Sequence, residues 1–127
     1  MNFPEDLKYT KEHEWVKIED GNTAIVGITD FAQSELGDIV FIEIETEGDE
    51  LAENDIFGSV EAVKTVSDLF LPVAGKVLEV NAKLVDEPEL VNNDPYNEGW
   101  LIRMEINNLD DLEALMDVDA YKNLIGH

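Results

Sequence analysis

Up to residue 106 the apolar positions fall in short runs, several alternating with polar ones at every second residue. That period turns one face of a strand inward and the other outward. Residues 14–19 (EWVKIE) and 23–28 (TAIVGI) form the first pair. In the first run Val16 and Ile18 share one face, while Trp15, Lys17 and Glu19 share the other. Asp20, Gly21 and Asn22 accept the positive φ of a tight reversal, so a half-buried hairpin is expected there. Residues 38–45 (DIVFIEIE) make the next strand, and 46–50 (TEGDE) the turn after it. Two apolar runs, 56–63 and 66–71, form a second pair. Pro72, Val73, Ala74 and Gly75 then break the pattern, and strands resume at 76–80 and 100–106.

A helical period shows clearly only near the C-terminus. Leu109, Leu112, Leu115 and Met116 recur at three- and four-residue spacing and share a helix face. Asp110 and Glu113 resemble a capping box, with Leu109 as a staple against Ala114. A last short helix is expected from Asp119, carrying Tyr121, Leu124 and Ile125. Residues 31–36 should make one or two further helical turns, capped by Thr29 or Asp30 and ended by Gly37 in the left-handed conformation. Many short strands followed by a helix predict a mostly β sandwich or barrel with a helical appendix.

The 127 residues suit one domain, divided here into a β core over 7–106 and a helical segment over 109–125. The chain has no cysteine, which excludes disulfides, thiolate metal sites and cysteine nucleophiles. Thirty acidic residues against eight basic ones give a formal net charge of −22. Such a surface repels phosphate backbones and anionic lipids, so neither nucleic acid nor membrane is an expected partner. It aids solubility and steers the chain toward basic docking surfaces. The first residues, Met1 to Asp6, show no basic start, apolar run or cleavage pattern, so no signal peptide is expected. A cytoplasmic protein is the simplest reading, with a trimmed organellar protein as the other.

Lys64 and Thr65 lie between the two apolar runs of the stretch GSVEAVKTVSDLFLPVAG. A two-residue connection there makes a tight reversal and projects the lysine away from the sheet. Neither residue is Gly, Asn or Asp, the usual choices for such a turn. An attachment lysine needs an exposed amine rooted in a rigid platform, and the four-carbon stem lengthens the arm. From these residues alone, Lys64 is either an attachment point or an ordinary solvated lysine.

Glu61-Ala62-Val63-Lys64-Thr65-Val66-Ser67-Asp68 resembles the lipoyl-attachment motif of the glycine cleavage system H-protein family. Tyr9-Thr10-Lys11-Glu12-His13-Glu14-Trp15-Val16, Gly27-Ile28-Thr29-Asp30-Phe31-Ala32-Gln33, and Leu36-Gly37-Asp38-Ile39-Val40 are similar to the family's other signatures. So are Pro72-Val73-Ala74-Gly75-Lys76-Val77 and the stretch from Asn92 to Trp100. The resemblance implies a barrel-sandwich hybrid fold of the lipoyl-domain kind, a non-catalytic role, and lipoate bound covalently to Lys64. It assigns Glu61 and Gly75 to recognition by a lipoyl ligase or transferase. A plain structural role for Gly75, at a turn requiring positive φ, stands beside that. It assigns Glu14 and Asp68 to a cleft that shelters the loaded arm, where carboxylates accept hydrogen bonds from its ammonium. The implied partners are the pyridoxal-phosphate P-protein, which loads an aminomethyl group, the T-protein, which unloads it to tetrahydrofolate, and dihydrolipoamide dehydrogenase. The carrier itself is expected to be a monomer. Glu12, Ala62, Thr65 and Glu45 depart from residues frequent in the family, without touching the lysine or its recognition positions.

Other classes fit less well. A biotin carrier usually places methionines beside its lysine, where this chain has Val63 and Thr65. A relay that hands lipoyl groups to other enzymes would look nearly the same. Ser59 or Ser67 with His13 and Asp68 makes a paper triad, but no Gly-x-Ser-x-Gly elbow is present. His13 belongs to the structure or to the arm cleft on this reading. His13 and His127 have no ligand spacing, so no metal is expected.

Overall fold

The computed structural model describes residues 2–127. Strands β1 (Lys8–Tyr9), β2 (Glu14–Asp20) and β3 (Thr23–Ile28) are followed by α1 (Asp30–Leu36) and β4 (Ile39–Glu43). Next come β5 (Glu50–Leu51), β6 (Ile56–Ala62), β7 (Val66–Phe70) and β8 (Gly75–Val80). Short helices α2 (Lys83–Asp86) and α3 (Leu90–Asn93) precede β9 (Ile102–Ile106). A 3₁₀ turn (Leu109–Ala114) and α4 (Val118–Ile125) end the chain. One sheet runs β1-β2-β3-β9-β8-β5 and the other β4-β6-β7, with every pairing antiparallel. Among the described residues, no helix is long and apolar enough to cross a membrane.

Two clusters of buried side chains organise the interior. The larger gathers inward residues of both sheets, among them Val16, Val26, Phe57, Val60, Leu69, Val77 and Met104. The smaller is aromatic and joins the N-terminal segment to α4: Phe3, Leu7, Tyr9, Trp15, Val118 and Tyr121. Burying each large apolar side chain contributes on the order of 1.5–3 kcal/mol.

The expected alternation along β2 holds only in part. Glu14, Trp15 and Val16 are all buried, because Val16 faces the larger cluster while Trp15 faces the smaller one. Ile18 lies beyond both clusters and is 44 % exposed. The Trp15 indole donates to the carbonyls of Ile28 and Pro95 at 3.0 and 3.1 Å. Gly27 makes room for it: a Cβ there would stand 2.6 Å from the ring.

The C-terminal stretch is not one helix. Asn108, rather than Asp110, caps the 3₁₀ turn, its side chain accepting from the Asp110 amide at 3.1 Å. Met116 then pairs with Tyr9 through reciprocal backbone bonds of 2.8 and 2.9 Å, which forces the chain extended. Leu112 and Leu115 pack on the larger cluster and Met116 on the smaller. The apolar spacing is thus satisfied by two surfaces, not by one helix face. Asp117 caps α4, two residues before the expected start, and Gly126 ends it left-handed. The short β5, whose Glu50 falls at the end of the expected turn, pairs with β8, while α2 and α3 carry no clear period.

Candidate functional site

Strands β6 and β7 form the hairpin that carries Lys64, with Glu61 opposite Val66. The amide of Ala62 donates to the carbonyl of Thr65 at 2.8 Å, so the reversal centres on Val63-Lys64, one residue earlier than the sequence pattern suggests. Neither residue has a positive φ, which explains how the turn forms without Gly or Asn. A tether from outside the hairpin steadies it: the Val63 amide donates to the Asp38 carbonyl at 3.0 Å.

Lys64 is exposed. Its stem lies over Gly37, where a Cβ would stand 3.4 Å from Cε and 3.8 Å from Nζ. Gly37, with φ of 80°, closes α1 and keeps this path open. The ion pairs among the described residues use Lys83 and Arg103, not Lys64. The amine is therefore neither buried nor held in a salt bridge. The turn under it is pinned by Asn92, whose Oδ1 accepts from the Ile39 amide at 2.9 Å. The Asn92 amide nitrogen donates to the Gly37 carbonyl at 2.8 Å and to Gln33 at 2.9 Å.

Leu36, next to Gly37, lines a cleft of about 470 Å³. Its walls are α1 (Phe31, Ala32, Glu35), the loop at residues 12–14, and the inward side of the hairpin (Val60, Ser67, Leu69). Glu14 and Asp68 both line it. A second depression of about 400 Å³, beyond the same loop and lined by Tyr9, Lys11, Asn54 and Met116, holds none of the expected site residues.

Glu14 is 2 % exposed. Its carboxyl accepts from the Thr10 hydroxyl at 2.9 Å and from the Phe70 amide at 3.2 Å. Burial pushes its pKa up to about 8, against the opposing pull of these two bonds. A carboxyl that is largely protonated at neutral pH ionises, losing its proton to solvent, when a cation arrives beside it. Asp68 is exposed at the rim. The two groups differ in environment, one dry and one wet.

His13 has φ of 70°, an uncommon conformation for a residue with a side chain. Backbone bonds hold it: its amide donates to Thr10 at 3.1 Å, and its carbonyl accepts from Thr29 at 3.0 Å. The imidazole packs on Phe31 and Tyr121, at centroid distances of 5.1 and 5.8 Å. Burial keeps its pKa below the ordinary value, so the ring is neutral near pH 7.

The other two predicted positions lie apart from the cleft. Glu61 is exposed on the outer face of the three-stranded sheet, in one row with Phe41 and Val66. Gly75 is buried in β8 of the other sheet and has no positive φ. Its need for glycine is close approach: a Cβ would stand 2.1 Å from the Glu105 carbonyl oxygen. Sequence reasoning did not single out Tyr121 as a site residue, nor Asn92 or the contact of Gly37 with Lys64. Their signals in the chain are a polar tip on an apolar helix face, a lone amide, and a helix-ending glycine.

A family model described as Glycine cleavage H-protein matches residues 7–127. The chain is 59 % identical over 127 residues to the "Glycine cleavage system H protein" of Pelodictyon phaeoclathratiforme, covering 99 % of each. It is 58 % identical over 126 residues to the protein of that name from Bacteroides fragilis, again covering 99 % of each. A crystal structure of a glycine cleavage system H protein from Mycobacterium marinum superposes with a TM-score of 0.89 at 35 % identity, over 98 % of this chain and 100 % of that one.

Proposed function

The chain belongs to the glycine cleavage H-protein family, and from that premise we propose that Lys64 is the attachment point of its lipoyl arm. The protein is a lipoyl carrier of the glycine cleavage system, working between its P- and T-proteins. One observation carries the proposal for Lys64: its amine stands free at a tethered hairpin tip, beside a cleft that contains a buried carboxyl.

The residues present fit the group. Nζ is open to an acylating enzyme, and Gly37 offers the stem a path without a side chain. When bound, lipoate supplies a disulfide that takes up the aminomethyl group of glycine and is reduced as it does so. The chain's own part is to root that arm, aim it and shelter its cargo. The Val63–Asp38 tether and the Asn92 bonds root it. The adjoining Leu36 wall leads from the tip into the cleft. There Glu14 would hold the arm's amine: on meeting the ammonium its carboxyl would lose its proton to the displaced water, leaving two paired charges shielded from bulk solvent. Asp68 adds a second acceptor at the rim. Glu61 and Gly75 serve the lipoylating enzyme in different ways, Glu61 by direct contact on the outer face and Gly75 by holding the sheet.

Dihydrolipoamide dehydrogenase, which reoxidises the arm, and a lipoyl ligase or transferase complete the proposed partners. Intact-mass measurement and peptide mapping of the protein from its native host should find one lipoyl group, on Lys64. Glycine–carbon dioxide exchange with P-protein should vanish in Lys64→Arg. A lipoyl group on another lysine, or full exchange in the variant, overturns the assignment.

A further inference from the structure

The Tyr121 hydroxyl joins two walls of the cleft. It lies 2.9 Å from His13 Nδ1 and 2.7 Å from Thr29 Oγ1. His13 immediately precedes Glu14, the first residue of β2, and Thr29 caps α1, which supplies Phe31, Ala32 and Glu35 to the opposite wall. Tyr121 is fully buried on α4, where its ring stacks on Tyr9 at 4.7 Å. It meets the cleft walls through these two bonds and through the edge contact of its ring with the His13 imidazole.

The direction of the bonds follows from counting protons. Thr29 is fully buried, and its hydroxyl already accepts from the Ala32 amide at 3.1 Å. The only acceptor near its own proton, among the described residues, is the Tyr121 oxygen. Tyr121 must then donate to His13 Nδ1, since the reverse order leaves the buried Thr29 proton without a partner. His13 therefore carries its proton on Nε2. No buried side-chain nitrogen or oxygen lacks a partner among the described residues, and Nε2 has none, so this donor is accessible.

We propose that Tyr121 is a positioning residue for the arm cleft: its hydroxyl fixes the spacing of the His13 loop and α1 and sets the His13 tautomer. The C-terminal helix thereby governs how long the loaded arm is held, although it does not line the cleft. An Nε2–H donor suits an acceptor on the arm and does not compete for the ammonium, which is left to Glu14. The inference rests on the cleft being the arm's shelter.

Tyr121→Phe removes the hydroxyl and keeps the stacked ring. In the full-length, unmodified wild-type chain, ¹⁵N spectra of the imidazole should show a bare Nδ1 and a protonated Nε2 at neutral pH. In Tyr121→Phe the two tautomers should mix. On the lipoylated, loaded protein without T-protein, the variant should lose its amine about five-fold faster, the scale of one lost buried hydrogen bond. Thr29→Val breaks the same chain from its other end and should quicken release alike while leaving His13 protonated on Nε2, whereas Thr29→Ser should restore the wild-type release rate; this pair decides the matter should Tyr121→Phe fail to fold. An unchanged release rate in Tyr121→Phe or Thr29→Val, or a wild-type His13 protonated on Nδ1, overturns the proposal. Glu14→Gln separates the two claims: if it too leaves release unchanged, the shelter reading itself fails.

Discussion

Glu14 holds two opposed demands in one side chain. Burial disfavours its charge, while the Thr10 hydroxyl and Phe70 amide favour it, and burial prevails. The native pKa of about 8 stands above the ordinary 4.5, so the folded chain binds this proton more tightly than the unfolded one. The sign follows: the group's contribution to stability is complete below the unfolded value and is lost as pH rises through the native one. Relative to Glu14→Gln, the wild type should lose on the order of 5 kcal/mol between about pH 4 and about pH 9. Urea denaturation of both proteins across that range measures it, and parallel curves would refute a buried neutral carboxyl. Gly75 makes a simpler case. A methyl group driven against the Glu105 carbonyl has only backbone to push, so Gly75→Ala should cost about 3 kcal/mol by the same measurement. Impaired lipoylation in that variant would then trace to a disturbed sheet. A variant of unchanged stability that is still not lipoylated would instead place Gly75 in direct recognition.

Among the elements, the hairpin is held less by its own turn than by its surroundings. Val63 donates to Asp38, and Asn92 pins Gly37 and Ile39 beside it. Asn92→Ala leaves a buried amide and carbonyl short of partners, a loss of about 2 kcal/mol. Hydrogen exchange should quicken at Ile39 and Val63 before it does in β9; equal protection at those amides would show the tether to be idle. This also marks the limit of the sequence. The strands of the hairpins were legible because their apolar period is local, and α1 because Thr29 and Gly37 punctuate it. The turn register was not, because Val63 is fixed by a carbonyl 25 positions earlier in the chain. The C-terminal helix was misjudged for a like reason: Leu112, Leu115 and Met116 keep a helical spacing but answer to separate clusters. Lys64, Glu14 and Asp68 were singled out through the motifs that carry them, and their roles remain part of the proposal. The Tyr121 bonds span 92 and 108 positions, a distance no local pattern reports.

At the scale of the whole molecule, charge acts in two opposite directions. A net −22 on 127 residues repels itself, and the pairs that Arg103 and Lys83 make with Glu19, Glu79 and Glu98 cancel little of it. The same field draws in partners with basic surfaces and orients the carrier as they approach. Salt screens both, since the Debye length falls from about 30 Å at 0.01 M to about 3 Å at 1 M. Added salt should therefore raise the melting temperature of the free protein while slowing its association with P- or T-protein, by roughly ten-fold or more across that range. The outer face of the three-stranded sheet supplies a counterweight. Phe41 and Val66 are exposed there, with Val40 at the β4 register irregularity and Val63 in the turn beside Lys64 exposed as well. Contacts made on these side chains would be apolar and would not weaken with salt, so dissociation should change far less than association. Stopped-flow rates over a salt series separate the two arms. A flat association rate beside a rising melting temperature would mean that charge serves solubility alone and that the apolar face does the recognising.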